Sequence, residues 1–491
     1  MREMSGKKKY GERFSPKLRE SIISVALIAI ISGCSSIDKS VSKSESDLWI
    51  PPKREEVSKQ NQLKNYTIPD VSEILNNLQS KLDLPMLLDI AFENSPMTKK
   101  SWQEARIAAA RNGKAASVFF PRVTVGGFAR DAEVKIPGSQ SHTTSYAPTI
   151  EIQYSIFQFG GHAKSAAAAK DLLYAANYQH NRELQTLARD VQKCYFLLSS
   201  AESAVDAANR NLDDAFVAYD SAFVKHQTGL ASVQDFLRAK ANRARAEFEL
   251  ENAMASVEVA RANLARTIGV RVSDSLQITC NADENDIKDF DADIQSLIDE
   301  TLKTRQDVLA LHSIVKASKS TSVASFSKLA PELLLTGSGS RVFYRDIPGK
   351  FNNFTIGAAV QWTVFDGFYN VYDIVESRAK IKQAEQALRQ LKLAIASDVW
   401  AKYHAFRSAI RQLNSARNYE QLAQESFDSV VISYTNGLSS FNDLMAAQTQ
   451  LAISRQETVM SRNNLSMAIV DLGHTVGITN FEHGTQKYED F

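Results

Sequence analysis

Two hydrophobic periods alternate along this chain, and each occurs twice. Over residues 84–119 apolar positions recur every three to four residues, which predicts a helix ended by Pro121. The period then drops to two. Val123 and Val125 alternate with Arg122 and Thr124. Beyond a polar loop holding Pro137, Gly138 and Ser139, the residues Ile150, Ile152, Tyr154 and Ile156 alternate with Thr149, Glu151, Gln153 and Ser155. Alternation of this kind predicts strands with one apolar and one polar face. Strands are expected near 121–130 and 146–157. They are expected again near 331–343 and 354–365, where Ile356, Ala358, Val360, Trp362 and Val364 form the apolar set. Each strand pair leads into a long helical stretch, about Gly161–Gln227 and Tyr369–Thr435. At roughly 65 residues each, these would reach about 100 Å. A break at Gly229-Leu230 or Gly437-Leu438 follows, and a second helix returns to Gly269 or Gly477. On the returning helices Val233, Phe236, Leu237, Ala244 and Phe248 form one heptad-like stripe. Phe441, Leu444, Met445, Leu451 and Ala452 form the other, and paired stripes suit antiparallel coiled-coil packing.

The second set of elements is a copy of the first. An offset of 208 carries Gln153 to Gln361, Phe157 to Phe365, Asp190 to Asp398, Tyr195 to Tyr403, Asp235 to Asp443 and Leu264 to Leu472, with no insertion between. A period this long excludes a solenoid and indicates a duplicated half-molecule. The unit is helix, strand, strand, helix, helix. The repeats occupy 81–270 and 292–478, joined by an acidic linker at 271–291 and followed by a tail at 479–491.

Composition narrows the class. Of 491 residues, 57 are Lys or Arg and 56 are Asp or Glu, so the basic surplus of a nucleic-acid binder is missing. Only 20 Gly and 11 Pro occur, which favours long helices. The three cysteines, Cys34, Cys194 and Cys280, have no metal-ligand spacing. Cys194 lies beside Tyr195 and Phe196 in a helical pattern and reads as a buried apolar residue, with a Cys194–Cys280 disulfide as the lesser alternative. Histidines lack the HxxxH and HxH spacings, and no Walker-type Gly-Lys-Ser/Thr occurs, so neither an enzyme nor a cofactor is expected.

The N-terminus carries its own signal. Basic residues up to Arg19 precede an apolar run, 22–31, and then Ser32-Gly33-Cys34. Residues 1–33 have the form of a signal peptide, and the run is short of the roughly 20 residues a membrane helix needs. Ile31-Ser32-Gly33-Cys34 resembles a bacterial lipobox, which would make Cys34 a lipidated mature N-terminus; the alternative is an ordinary signal peptide with an incidental cysteine. Residues 34–80, rich in Ser and Lys and broken by Pro51, Pro52 and Pro69, read as an extended tether.

Four strands, apolar on one face and polar on the other, have the length of membrane-spanning β-strands. An isolated four-stranded sheet would expose unpaired backbone to lipid, and closed membrane barrels have eight strands or more. Several chains must therefore share one barrel, and three copies would contribute twelve strands. Glu151, Gln153, Gln361 and Thr363 would line the lumen, and Tyr154 and Trp362 would sit at the lipid–water boundary.

The duplicated pattern, the segment Tyr154-Ser-Ile-Phe157-Gln-Phe-Gly-Gly161 and the segment Trp362-Thr-Val-Phe365-Asp-Gly367 resemble the TolC family of outer-membrane channels over about 82–478. The resemblance implies a mixed α/β membrane protein: a homotrimer with a 12-stranded β-barrel in the outer membrane and a long α-helical barrel in the periplasm. It would act as the exit duct of a tripartite efflux or type I secretion system, with a periplasmic adaptor (membrane fusion protein) and an inner-membrane pump as partners. The alternative is a periplasmic coiled-coil adaptor or structural lipoprotein without a pore. By the same resemblance Tyr434 and Asp443 belong to the periplasmic gate, while Ser439 and Ala446 stand where TolC has an arginine and a second aspartate. Two readings of Asp443 stand: a ring of carboxylates around the axis, or an acidic residue suiting the positive first turn of its helix, as its twin Asp235 suits the other. Gly229, Leu230, Gly437 and Leu438 form the helix turns that would meet the adaptor, the leucines serving as exposed knobs or as packing for the turn itself.

Overall fold

A computed structural model describes residues 42, 44, 46, 47, 49, 82–137, 139–272, 277, 278, 293–345 and 349–477. Cys34, Cys280, the segments at 1–33 and 479–491, and nearly all of the acidic linker lie outside them.

Each repeat opens with a short helix and a longer one: α1 (Leu84–Asn94) and α2 (Pro96–Ala116), then α5 (Ile294–Thr304) and α6 (Gln306–Ser327). The single helix expected over 84–119 is thus two. Ser95 ends α1 in an extended conformation and caps α2, its Oγ accepting from Met97 N at 3.3 Å, and Pro96 fills the first helical position. A proline there loses no hydrogen bond, so it starts a helix instead of kinking one. The long helices α3 (Gly161–Gln227) and α7 (Tyr369–Thr435) have 67 residues each, about 100 Å of helix. The returning helices α4 (Val233–Ile268) and α8 (Phe441–Val476) have 36 each.

The four strands form one antiparallel sheet in sequence order: β1 (Arg122–Ile136), β2 (Ser139–Phe157), β3 (Glu332–Tyr344) and β4 (Lys350–Gln361). The first hairpin extends well past the strands read from the sequence. Its upper residues pair as far as Ile136 with Ser139, since ladder hydrogen bonds do not require an apolar face. β4 stops at Gln361, so Trp362 follows the strand, its indole N–H donating to Leu329 O at 3.0 Å. The register sorts the faces cleanly. Val123, Ile152, Gly337 and Ile356 form one row, with Val125, Ile150, Gly339 and Phe354 beside it. Thr124, Glu151, Ser338 and Thr355 form a row on the other face. Gly339 leaves room for its neighbour: a Cβ there would sit 3.2 Å from Ile150 Cγ2, a tight contact that Ile150 would have to yield to.

Below the sheet the helices form one layer. In the half nearest the strands the order is α2, α3, α6, α7, and in the far half α4, α3, α8, α7. α3 and α7 run the full length, and α8 is wedged between them while α4 stands at an edge. The first repeat packs around Leu82, Leu87, Leu187, Val191, Leu264 and Ile268. The far end packs around Tyr434, Phe441, Leu444 and Leu451 with Ala218 and Ala222 of α3. No helix of the described residues is long and apolar enough to cross a membrane.

The expected tether is pinned where it is described. Trp49 is buried against Tyr174 and Tyr178 of α3, ring centroids 5.5 and 5.3 Å away. Asn181 accepts from Trp49 N at 2.8 Å and donates to Trp49 O at 2.7 Å, a pairing that imitates a β-ladder. Cys194 is a free, half-buried thiol 3.4 Å from Thr267 Oγ1.

Candidate functional site: the helical tip and the amphipathic sheet

Both helical hairpins turn in the same way, and the turn is dictated by glycine. Gly229 and Gly437 take φ of +73° and +77°, a left-handed conformation that costs other residues about 1–2 kcal/mol. Leu230 N donates to Lys225 O at 2.7 Å and Gly229 N to His226 O at 3.1 Å; Leu438 N donates to Ser433 O at 2.8 Å and Gly437 N to Tyr434 O at 3.0 Å. These are the paired bonds of a Schellman ending, which satisfy the last carbonyls of α3 and α7. A leucine in that position commonly packs back on its own helix. Here Leu230 is 78% exposed and Leu438 83%, so neither packs the turn.

The helices that follow begin on capped serines. Ser232 Oγ accepts from Asp235 N at 3.1 Å, and Ser440 Oγ accepts from Asp443 N at 3.2 Å. At Ser440 the box is closed: Asp443 Oδ2 accepts from Ser440 N at 2.9 Å and from Ser440 Oγ at 2.7 Å. These bonds, side chain first and then backbone, hold the Asp443 carboxyl below the usual aspartate range. The helix-start reading of Asp443 therefore has direct geometric support in the single chain.

Tyr434 is brought to the same tip but points inward. It is 4% exposed, packs on Phe441 with centroids 5.9 Å apart, and lies under the ammonium of Lys225, 4.0 Å from the ring centre. Burial, and then the nearby Asp235 carboxylate, raise its phenol above the ordinary value. Two more links join the hairpins: Arg238 to Asn442 at 3.0 Å and Asn242 to Gln448 at 2.9 Å. Lys225 and these pairs escaped the sequence reading. A basic residue in the last turn of α3 is itself a legible signal, but its partner lies in the other repeat.

At the sheet end, Tyr154 sits opposite Leu335 on the apolar face. Where β2 and β3 meet α3, Ser155 Oγ donates to Glu332 Oε1 at 2.5 Å and lies 2.6 Å from His162 Nε2. The serine proton is committed to the carboxylate, so the imidazole donates to the hydroxyl. The glutamate is not placed to orient His162 as a base, so this clasp holds the strand-to-helix junction rather than activating a nucleophile.

A family model described as outer membrane efflux protein matches residues 87–270 and 297–477, one block for each repeat. Protein CyaE of Bordetella pertussis is 21% identical over 390 residues, covering 77% of this chain and 81% of that protein. Among solved structures, the Campylobacter jejuni CmeC outer membrane channel superposes with a TM-score of 0.72 at 16% identity, covering 88% of this chain and 94% of its own. The outer membrane protein VceC of Vibrio cholerae superposes with a TM-score of 0.71 at 16% identity, covering 80% of this chain and 96% of its own.

Proposed function

We propose a quaternary structure and a closed end for this chain, which belongs to the outer membrane efflux protein family. Its function follows from that membership: it is an outer-membrane exit duct of an efflux or type I secretion system, with the fold of a channel rather than an enzyme. Three copies form the duct. The observation that carries this is the sheet, whose first and last strands, β1 and β4, have free edges among the described residues while one face carries an apolar band. Open edges in lipid are prohibitive, so β4 of one copy pairs with β1 of the next until twelve strands close. The helical layer supports the same closure. Its edge helices carry exposed apolar residues, Leu237 and Phe248 on α4 and Leu393 and Leu422 on α7.

In the assembled duct Glu151, Gln153 and Gln361 face the lumen, and Tyr154 and Trp362 mark the lipid boundary. Cys34 carries the lipid, and the strap at Trp49 ties the anchored end to α3. The turns at Gly229-Leu230 and Gly437-Leu438 present leucine knobs to a periplasmic adaptor, which joins the duct to an inner-membrane pump. The far end closes around Tyr434, with Asp443 adding one carboxylate per chain to a cation-favouring constriction.

Native mass measurement in mild detergent, paired with planar-bilayer recording, tests this reading. Three copies and discrete conductance are expected. A monomer or dimer as the main species, or a protein that never conducts, would sink it.

A further inference from the structure

The sheet already contains one junction between repeats, and the duplication makes it a template for the junction between copies. Inside the chain β2 of the first repeat pairs with β3 of the second: Ile150 faces Gly339, Ile152 faces Gly337 and Gln153 faces Thr336. β2 corresponds to β4 by the offset of 208. β1 corresponds to β3 by an offset of 210, since Pro121 and Pro331 precede the two strands and the first hairpin is two residues longer. The ladders agree, because Arg122 pairs with Gln153 and its counterpart Glu332 pairs with Gln361. A seam that joins β4 of one copy to β1 of the next is therefore a second instance of the β2–β3 junction.

We propose that this seam keeps the register of its template, so that Gln361, Val360, Ala358, Gly357 and Thr355 of one copy face Gly126, Gly127, Ala129, Arg130 and Ala132 of the next. The proposal rests on the three-copy duct and adds to it the residues that meet. Side-chain sizes favour this register. Within the chain a Cβ on Gly337 would meet Ile356 at 3.7 Å and Ile152 at 3.8 Å, and one on Gly339 would meet Ile150 at 3.2 Å. Glycines thus stand where large neighbours flank them. The seam repeats the pattern: Gly127 is the counterpart of Gly337 and Val360 that of Ile152, so a glycine again faces a β-branched residue. All three glycines on the two edge strands, Gly126, Gly127 and Gly357, meet larger partners. A slip of two residues would set Gly126 and Gly127 against Ala359 and Ala358, or carry them past Gln361, where β4 ends. A slip of one would put the apolar set of β1 beside the polar set of β4.

The seam also carries the stagger of the sheet onward. Thr336 stands in the row of Arg122 and Gln153, four residues beyond Glu332, the counterpart of Arg122. In the proposed register Gly126 joins the row of Glu332 and Gln361, again four residues beyond Arg122. The step is the same at both kinds of junction, and a fixed stagger is what closure into a barrel requires.

Cysteine pairs in the full-length protein, oxidised with copper phenanthroline in outer membranes and run on non-reducing denaturing gels, test the register. Facing residues lie about 4.5–5.5 Å apart between Cα atoms and can be bridged, whereas diagonal neighbours lie about 7–8 Å apart and cannot without backbone movement. Ala132→Cys with Thr355→Cys lies on the polar face, where thiols meet water and oxidant. This pair should give covalent trimers, because each chain links to both neighbours. Arg130→Cys or Val134→Cys with Thr355→Cys should link at least about fivefold less. Ala129→Cys with Ala358→Cys repeats the test on the apolar face with minimal change in volume, and decides in place of the first pair should that one fail to assemble. Single variants, which keep the native thiols, set the background. A slipped pair that links better than Ala132→Cys with Thr355→Cys overturns the register and leaves the three-copy duct standing. So does absence of linking in both facing pairs while native mass measurement of the same samples still finds three copies. If wild type itself is not three copies, the duct reading falls and takes the seam with it.

Discussion

The two far hairpins have equal lengths and the same Gly-Leu turns, yet opposite surroundings. α8 is wedged between α3 and α7, and its stripe residues Phe441, Leu444 and Leu451 are buried. α4 stands at the edge of the layer, and at the equivalent stripe Val233, Leu237 and Phe248 are exposed while Phe236 is half-buried. The heptad pattern is thus real in both copies, but among the described residues the α8 stripe is buried whereas the α4 stripe is packed chiefly through Phe236. Duplication preserved the backbone, and position in the layer then decided which face needed which chemistry. The near ends of these helices diverge in the same sense. α4 finishes in an apolar core with Leu264 and Ile268. α8 finishes between the repeats, where its last carbonyls are partly shielded from water and take donors from neighbouring helices. Arg182 donates to His474 O at 3.1 Å and Arg305 to Thr475 O at 2.9 Å, and Asp471 bridges Lys193 and Lys402. Cations at a helix C-terminus suit its dipole.

The sharpest way to break the comparison is at one pair of twins. Arg455 of α8 is 5% exposed and bonds Asp214 at 2.6 Å and Asn211 at 2.8 Å on α3, and Gln424 at 2.8 Å on α7. Its counterpart on α4 is Glu247, exposed and paired with Arg243 one turn away. Burial raises the Asp214 carboxyl despite the opposing pull of Arg455, so removing the guanidinium would strand a group already short of water. Arg455→Met should cost about 3–5 kcal/mol in denaturant unfolding, against less than about 0.5 kcal/mol for Glu247→Met. Equal costs at the two sites would mean that the wedge position of α8 does not govern its chemistry.

Much of the fold was legible and the joints between repeats were not. The bounds of α3 and α7 could be read because glycine turns and strand endings bracket an unbroken helical period. Strand faces could be read because Ile150 and Ile152, or Ile356 and Ala358, alternate with polar neighbours. Pro96 hid the α1–α2 break, since a proline at the first helical position leaves the apolar period running through it. The tip links were invisible for another reason: Lys225 and Tyr434 are 209 residues apart, and no local pattern states which helix face of one repeat meets the other. The turn glycines were legible because their requirement is local.

An intermediate effect is expected at the α8 end, where acidity can test the polar joint. His474 is pushed down to about 3, first by burial and then by Arg182, Arg189 and Arg305. A histidine whose folded value is depressed binds protons more readily once unfolded. Its contribution to stability is therefore full above the ordinary value of 6.5 and is lost as pH falls towards 3. Between pH 7 and 5 the loss should be about 1–2 kcal/mol, discounted for partial solvent access. His474→Asn should flatten that part of the stability–pH curve. Substituting the counterpart, Arg266, should leave the slope as it is. An unchanged slope in His474→Asn would show that other groups carry the acid sensitivity.

The smallest effect tests what the copies still share. Gly229 and Gly437 have the same left-handed φ, and a Cβ at either would meet nothing within 4 Å. The cost of alanine is then conformational strain alone, partly offset by a less flexible unfolded chain, and amounts to about 1 kcal/mol at each site. Surroundings do not enter, so Gly229→Ala and Gly437→Ala should destabilise equally in thermal unfolding, although one turn leads into an exposed helix and the other into a buried one. A clear excess at Gly437 would mean that the strained turn is transmitted into the Tyr434–Phe441 packing, and that the tip behaves as one coupled unit. Equal losses would separate turn geometry, which the duplication kept, from packing, which it changed.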